Sequence, residues 1–244
     1  LEAFNISFVP EDNEKLSENG VIAEKTMNTL LHVVEAYTEL YRVTKLDEVG
    51  DSIRFMLDII ADKVYNSKEG RQEVFFDRTW HTLIDLYSYG HDIETAWLMD
   101  RGVEVLGDAH YKEKMSPITE TLAENVYKVA FDGHSLANEC CKGEVNDHRI
   151  WWVQAETVIG FLNEYQKHPQ KENFLEASEA EWEFIKEHVI DKRTGSEWFW
   201  EVNPDGSPIA DRPIVEPWKC PYHNGRMCME VICLLYTSDA ADEL

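Results

Sequence analysis

Apolar side chains fall at helical spacing along most of this chain. Residues 25–43, KTMNTLLHVVEAYTELYRV, place them three and four apart, and residues 46–64, LDEVGDSIRFMLDIIADKV, do the same. YNSKEGRQEVFFDRTW then interrupts the pattern with a polar turn and a short strand-like run. Helical spacing returns at 89–107 and 110–131, breaks at DGHSLANECCKGEVNDHRI (a loop or hairpin), and resumes at 150–167 and 172–190. After Gly195, SEWFWEVNPDGSPI alternates aromatic with polar and contains Pro-Asp-Gly, which predicts a hairpin. A Pro-rich loop, DRPIVEPWKCPYHNG, leads into a last helix from about residue 222.

The elements therefore come as helix pairs separated by β-loops, with a period of roughly sixty residues, the signature of a repeat. The chemistry repeats with them. First helices open on polar and aromatic groups: NTLLHVVEAY, SYGHDIETAW, IWWVQAETVIGF and YHNGRMCMEV. His32/Glu35 and His91/Glu94 share the spacing His-x-x-Glu, and Trp152/Glu156 and His223 take related places. Residues three apart stack on one helix face, so His91, Glu94 and Trp97 form a line near a helix start. Second helices such as IRFMLDIIADKV and FLEASEAEWEFIKEHV are ordinary amphipathic sequence. Such pairs stack into a solenoid or close into a ring. A ring with the first helices inside gathers their N-terminal ends on one cavity, so recurring polar groups at those ends favour it. A complete toroid takes about six pairs, and about three and a half are present. The expected fold is an all-α, incomplete (α/α)6-barrel with short β-hairpin loops and its upstream pairs missing.

Charge narrows the ligand. There are 47 acidic and 23 basic residues, a net charge of −24, so nucleic acid is repelled and a neutral or cationic ligand fits. Eight Trp and ten Tyr suit the C–H faces of a sugar. The five cysteines are irregularly spaced, as expected of free thiols in a reducing cytoplasm. Cys220 to His223, CPYH, offers two ligand types but no second pair at zinc-finger spacing, so no metal is expected. No apolar run reaches membrane-spanning length. The chain opens on LEAFNISFVP without an initiator Met, as the middle of a longer protein would. CLLYTSDAADEL at the other end resembles adapter read-through, so a domain over 1–232 and a non-native tail over 233–244 are expected.

NTLLHVVEAY, YGHDIETAW, WWVQAE, WFWEVNPDG and EPWKCPYHNGRMCMEV together resemble the N-acylglucosamine 2-epimerase superfamily, the last of them its cellobiose 2-epimerase branch. The likeness covers residues 20–232 in order. It implies an (α/α)6 barrel, no metal and no redox cofactor, and a cytoplasmic enzyme that is monomeric when full length. It also implies inversion at C2 of the reducing-end glucose of a β-1,4 disaccharide, giving mannose. His91 and His223 match the catalytic histidine pair, and Glu94 the carboxylate beside the first. His32 matches a third active-site histidine linked to ring opening. Asn28, Trp97, Trp152, Glu156 and Trp218 match substrate-binding positions. Upstream helices carrying an arginine and a tyrosine that contact the sugar are absent.

The chemistry suits these residue types. Epimerisation removes the proton beside the carbonyl of the opened sugar and returns it to the opposite face through an enediolate. Two groups that titrate near neutrality suit such an exchange. His91 meets opposed influences: the helix N-terminus disfavours imidazolium and Glu94 favours it. His32 and Asn28 are candidates to stabilise the enediolate oxygen. Trp152 can stack on a sugar ring while Glu156 accepts from hydroxyls. Other readings remain open: an N-acylglucosamine 2-epimerase or aldose–ketose isomerase on the same ring, a glycoside hydrolase using Glu94 and Glu156, or a non-catalytic sugar-binding fragment. His81, His110, His134, His148, His168 and His188 are expected to be structural. Trp151 is expected in the core, one face of Trp198/Trp200 buried, and EASEAEWEFIKE a solvated helix face.

Overall fold

The computed structural model describes residues 20–209, 212–215 and 219–242, with side chains as far as Leu235. Helices α1 (Met27–Thr44), α2 (Asp47–Ile59), α3 (Tyr89–Leu106), α4 (Ala109–Val129), α5 (Trp151–Lys167), α6 (Glu172–Phe184) and α7 (Tyr222–Asp242) carry most of the chain. Between them lie short strands: β1 (Lys25–Thr26), β2 (Tyr65–Asn66), β3 (Arg71–Gln72), β4 (Phe75–Phe76), β5 (Leu86–Ser88), β6 (Glu139–Cys141), β7 (Glu144–Asn146), β8 (Arg149–Ile150) and β9 (Glu201–Val202). The all-α class and the order of pairs are those the periodicity predicts.

Four helix boundaries differ. The first helix starts at Met27, because Lys25 and Thr26 pair antiparallel with Phe76 and Phe75. Thr26 then caps the helix, its hydroxyl accepting from the Thr29 N–H at 3.2 Å. The helices over 46–64 and 172–190 each end in a π-helical turn, Ile60–Val64 and Ile185–Val189. A π turn keeps an apolar face inward, so side-chain periodicity alone does not reveal it. Helix α7 runs on through the expected tail boundary to Asp242. No described helix is long and apolar enough to cross a membrane.

The chain divides into two compact units. The first contains α1 and α2, joined through Lys45 in the left-handed conformation (φ 53°). Its core is built on Met27, Leu31, Val34, Ile53 and Leu57.

The second unit contains residues 89–97 of α3, with α5, α6 and α7. Helix α5 packs against both α6 and α7. It is buried over most of its circumference, from Trp151 to Glu164, and the buried set includes the polar Gln154, Glu156 and Thr157, so it shows no simple apolar stripe. Two glycines set its distance from α3. A Cβ on Gly160 would stand 2.4 Å from Ile93 Cγ1 and 3.0 Å from the Ile93 carbonyl oxygen. A Cβ on Gly90 would stand 2.7 Å from both Trp152 and Val153 side-chain atoms. Trp151 is in the core as expected, 3% exposed and 4.3 Å from the ring of Trp200. Trp198 and Trp200 are both buried. Residues 203–207 make the tight turn that Pro-Asp-Gly predicts, with Asn203 N–H bonded to the Ser207 carbonyl at 2.9 Å. The strand leading into it pairs with β8, Arg149 opposite Val202 and Ile150 opposite Glu201.

The EASEAEWEFIKE run corrects one expectation. Glu176, Glu179, Glu183 and Glu187 face solvent, but Glu181 is fully buried. Burial pushes its carboxyl well above the ordinary glutamate range, and the nearby Arg149 charge only partly opposes this. The folded chain therefore holds a proton there that the unfolded chain releases. That contribution to stability is complete at acid pH and is lost as pH rises through the folded-state value. Glu181→Gln is expected to leave stability near wild type at pH 4 and to exceed it increasingly toward pH 9, in urea unfolding across pH.

Gly160→Ala tests the α3–α5 contact. Alanine favours a helix over glycine by about 1 kcal/mol, but the backbone oxygen of Ile93 cannot move aside. Overpacking is expected to dominate, with a net loss of about 1–3 kcal/mol in urea unfolding.

Candidate active site

Three helix N-termini of the second unit carry the candidate residues. Strand β5 delivers the chain into α3, where His91 is the third helical residue and Glu94 lies one turn on. Strand β8 delivers it into α5, where Trp152 is second and Glu156 lies one turn on. Helix α7 starts at Tyr222, so His223 is second and Arg226 shares its face.

The Trp152 indole is shared by both histidines. Its ring centroid is 4.6 Å from that of His91 and 5.4 Å from that of His223. Beneath them, Glu94 and Glu156 have no exposed surface. One nitrogen of Arg226, Nη2, donates to Glu94 Oε1 at 2.6 Å and to Glu156 Oε1 at 2.7 Å. Its Nη1 donates to the Tyr222 hydroxyl at 2.5 Å. The guanidinium also stacks over Trp97 and Tyr222, 5.0 and 4.5 Å from their centroids. Trp97 Nε1–H donates to Glu156 Oε2 at 2.9 Å. The remaining partner of Glu156 is His223, whose Nδ1 lies 2.8 Å from Oε1.

These bonds decide the protonation pattern. Burial alone would raise the Glu156 carboxyl. The hydrogen bond from His223 and the charge of Arg226 together outweigh it, so the group sits below the usual glutamate range. An ionised carboxylate only accepts, so His223 Nδ1 must carry the hydrogen. In neutral His223 the lone pair is then on Nε2, the arrangement a general base needs. Glu94, Glu156 and His223 are also a group of ligand-type side chains close enough to hold a metal ion. The Arg226 guanidinium already stands between the two carboxylates, supplying the positive charge a cation would bring.

The structure thus brings together His91, Glu94, Trp97, Trp152, Glu156 and His223. Sequence reasoning puts Trp97 and Glu156 against sugar; in the fold they are 5% and 0% exposed and bonded to each other. His32 and Asn28 belong to the first unit. His32 Nδ1 lies 3.1 Å from Glu35 Oε2, the pairing that His-x-x-Glu predicts, and Asn28 is exposed. Trp218 lies outside the described residues. Arg226 and Tyr222 escaped the sequence reading. The available signal was the spacing of Arg226, one turn after His223, which mirrors His91/Glu94 with the opposite charge.

Removing Arg226 leaves two buried carboxylates without their shared cation. Arg226→Met is expected to cost about 3–5 kcal/mol at neutral pH. Glu156, with its lowered value, contributes stability above the ordinary glutamate range and loses it as pH falls. The deficit in the variant therefore shrinks in acid, read by denaturant unfolding at pH 7 and pH 4.

Comparison with known proteins agrees with this architecture. The N-acylglucosamine 2-epimerase (GlcNAc 2-epimerase) family model matches residues 9–224. The cellobiose 2-epimerase of Eubacterium cellulosolvens is 47% identical over 248 residues, covering 95% of this chain and 61% of that protein. That of Ruminococcus albus is 48% identical over 231 residues, covering 95% and 59%. A crystal structure of a sugar epimerase from a ruminal bacterium superposes with a TM-score of 0.87 at 49% identity, over 91% of this chain and 57% of that one. The chain spans about three-fifths of the length of these relatives. Its helix pairs are a portion of their α/α-barrel fold, and the chain belongs to the N-acylglucosamine 2-epimerase family.

Proposed function

We propose that the protein of which this chain is part is a carbohydrate 2-epimerase that inverts C2 of the reducing-end glucose of cellobiose-type disaccharides. The observation that carries this reading is the pair of imidazoles bordering one indole, with the tautomer of one fixed by a buried carboxylate. The sugar opens to its aldehyde, which makes the C2 proton acidic. One histidine removes that proton as a general base, leaving an enediolate. The other, as imidazolium, delivers a proton to the opposite face of C2. His223 takes part through Nε2, because Nδ1 is held by Glu156. Glu156 and Arg226 position it and do not touch sugar. Trp152 offers a flat apolar face between the two proton carriers. The names of the relatives support cellobiose as the substrate.

Hydrolysis fits the site less well. A glycosidase needs an acid and a second carboxylate across the bond being cut. Here both carboxylates are without exposed surface, and one guanidinium nitrogen occupies the space between them.

The test uses the full-length protein and cellobiose in deuterium oxide, followed by NMR. Glucosylmannose carrying deuterium at C2 is expected. His91→Ala and His223→Ala are each expected to lower kcat by about 10²–10⁴-fold. Release of free glucose, or a ketose as sole product, would replace the reading. Wild-type turnover in either variant would remove that histidine from the mechanism.

A further inference from the structure

Lys219 is 1% exposed, an unusual place for an ammonium group. Its Nζ donates to the Glu197 carboxylate through Oε2 and to the Ile214 carbonyl at 2.9 Å. The Trp151 ring centroid lies 5.6 Å away. The other oxygen of Glu197 is also used: Asn224 Nδ2 donates to Oε1 at 2.6 Å. One carboxylate therefore grips residues on both sides of Cys220, Pro221, Tyr222 and His223. Here the loop turns into α7, and Asn224 directly follows the histidine. Trp151 completes the arrangement, meeting the His223 ring edge-on at 6.4 Å while tilted against Trp200 at 4.3 Å.

We propose that Glu197, clamped between Lys219 and Asn224, is a positioning latch that sets the direction of the His223 imidazole. Lys219 is buried and Glu197 half-buried, and an ion pair taken out of water adds little stability over an apolar pair of the same shape but can fix register. Two short polar bonds to one carboxylate leave the first turn of α7 one angle relative to the strand region that carries Glu197. His223 needs that angle to present Nδ1 to Glu156. The latch residues act through His223, and the inference rests on reading His223 as a proton carrier.

The experiment compares Lys219→Met, Lys219→Arg and Asn224→Ala in the full-length protein. Melting curves check folding, steady-state kinetics on cellobiose give kcat and KM, and ring-labelled histidine NMR reads the His223 Nδ1–H signal. Displacement of a catalytic group by a fraction of an ångström acts on kcat. Lys219→Met and Asn224→Ala are therefore expected to lower kcat about tenfold and about threefold, with KM within about twofold. Lys219→Arg, which keeps the charge, restores most of kcat. The Nδ1–H signal broadens or is lost in Lys219→Met and persists in Lys219→Arg. Folded Lys219→Met and Asn224→Ala proteins with wild-type kcat and an unchanged ring signal would overturn the latch. If Lys219→Met does not fold, Asn224→Ala, which strands no charge, decides by the same two readouts. If the wild-type protein turns over no sugar, the proton-carrier reading fails, and the ring signal alone decides whether Glu197 orients His223.

Discussion

Two glutamates without exposed surface meet at one arginine nitrogen, and the candidate site depends on that meeting. Either carboxylate alone in a protein interior would take up a proton. The hydrogen bond from His223 and the charge of Arg226 together keep Glu156 ionised, and an ionised Glu156 obliges His223 to carry its hydrogen on Nδ1. A buried charge pair thus dictates which nitrogen carries the hydrogen. Trp97 holds the other oxygen of the Glu156 carboxylate with its indole N–H.

That chemistry needs the helices close together. The rings of His91 and Trp152 come within 4.6 Å because α3 and α5 approach where Gly90 and Gly160 have no side chain. Each glycine stands opposite a bulky residue of the partner helix: Gly90 faces Trp152 and Val153, and Gly160 faces Ile93. Small residues placed against large ones let the two N-terminal ends share one indole, and the same contact seals the carboxylates beneath.

Much of this was legible in the letters. Helix pairs follow from apolar spacing, and the polar and aromatic openings of the first helices contain the residues that the fold gathers in the second unit. His91, Glu94, Trp152, Glu156 and His223 come together because each lies in the first turns of a first helix. What escaped has physical causes. Arg226 reads as a helix-face cation until the fold puts two acids beside it. Glu181 sits among exposed glutamates of one helix, and charge density along a segment does not say which acid turns inward. Lys25 and Thr26 read as helix because their extended conformation is imposed by β4, far along the sequence. Glu156 has no exposed surface and bonds to Trp97 and His223, a burial that its polar character in the sequence does not announce.

The two π-helical turns, Ile60–Val64 and Ile185–Val189, close the second helix of two different pairs, and each ends on a buried valine. Each accommodates one residue more than an α-turn would, and a single residue is worth roughly 100° of rotation about a helix axis. What pairs next, β2 after the first turn and the single bridge of Ile190 with Trp198 after the second, is therefore aimed by a count of residues. A deletion at either turn would swing the residues that follow, Tyr65–Asn66 after the first and Ile190 after the second, off their partners Arg71–Gln72 and Trp198.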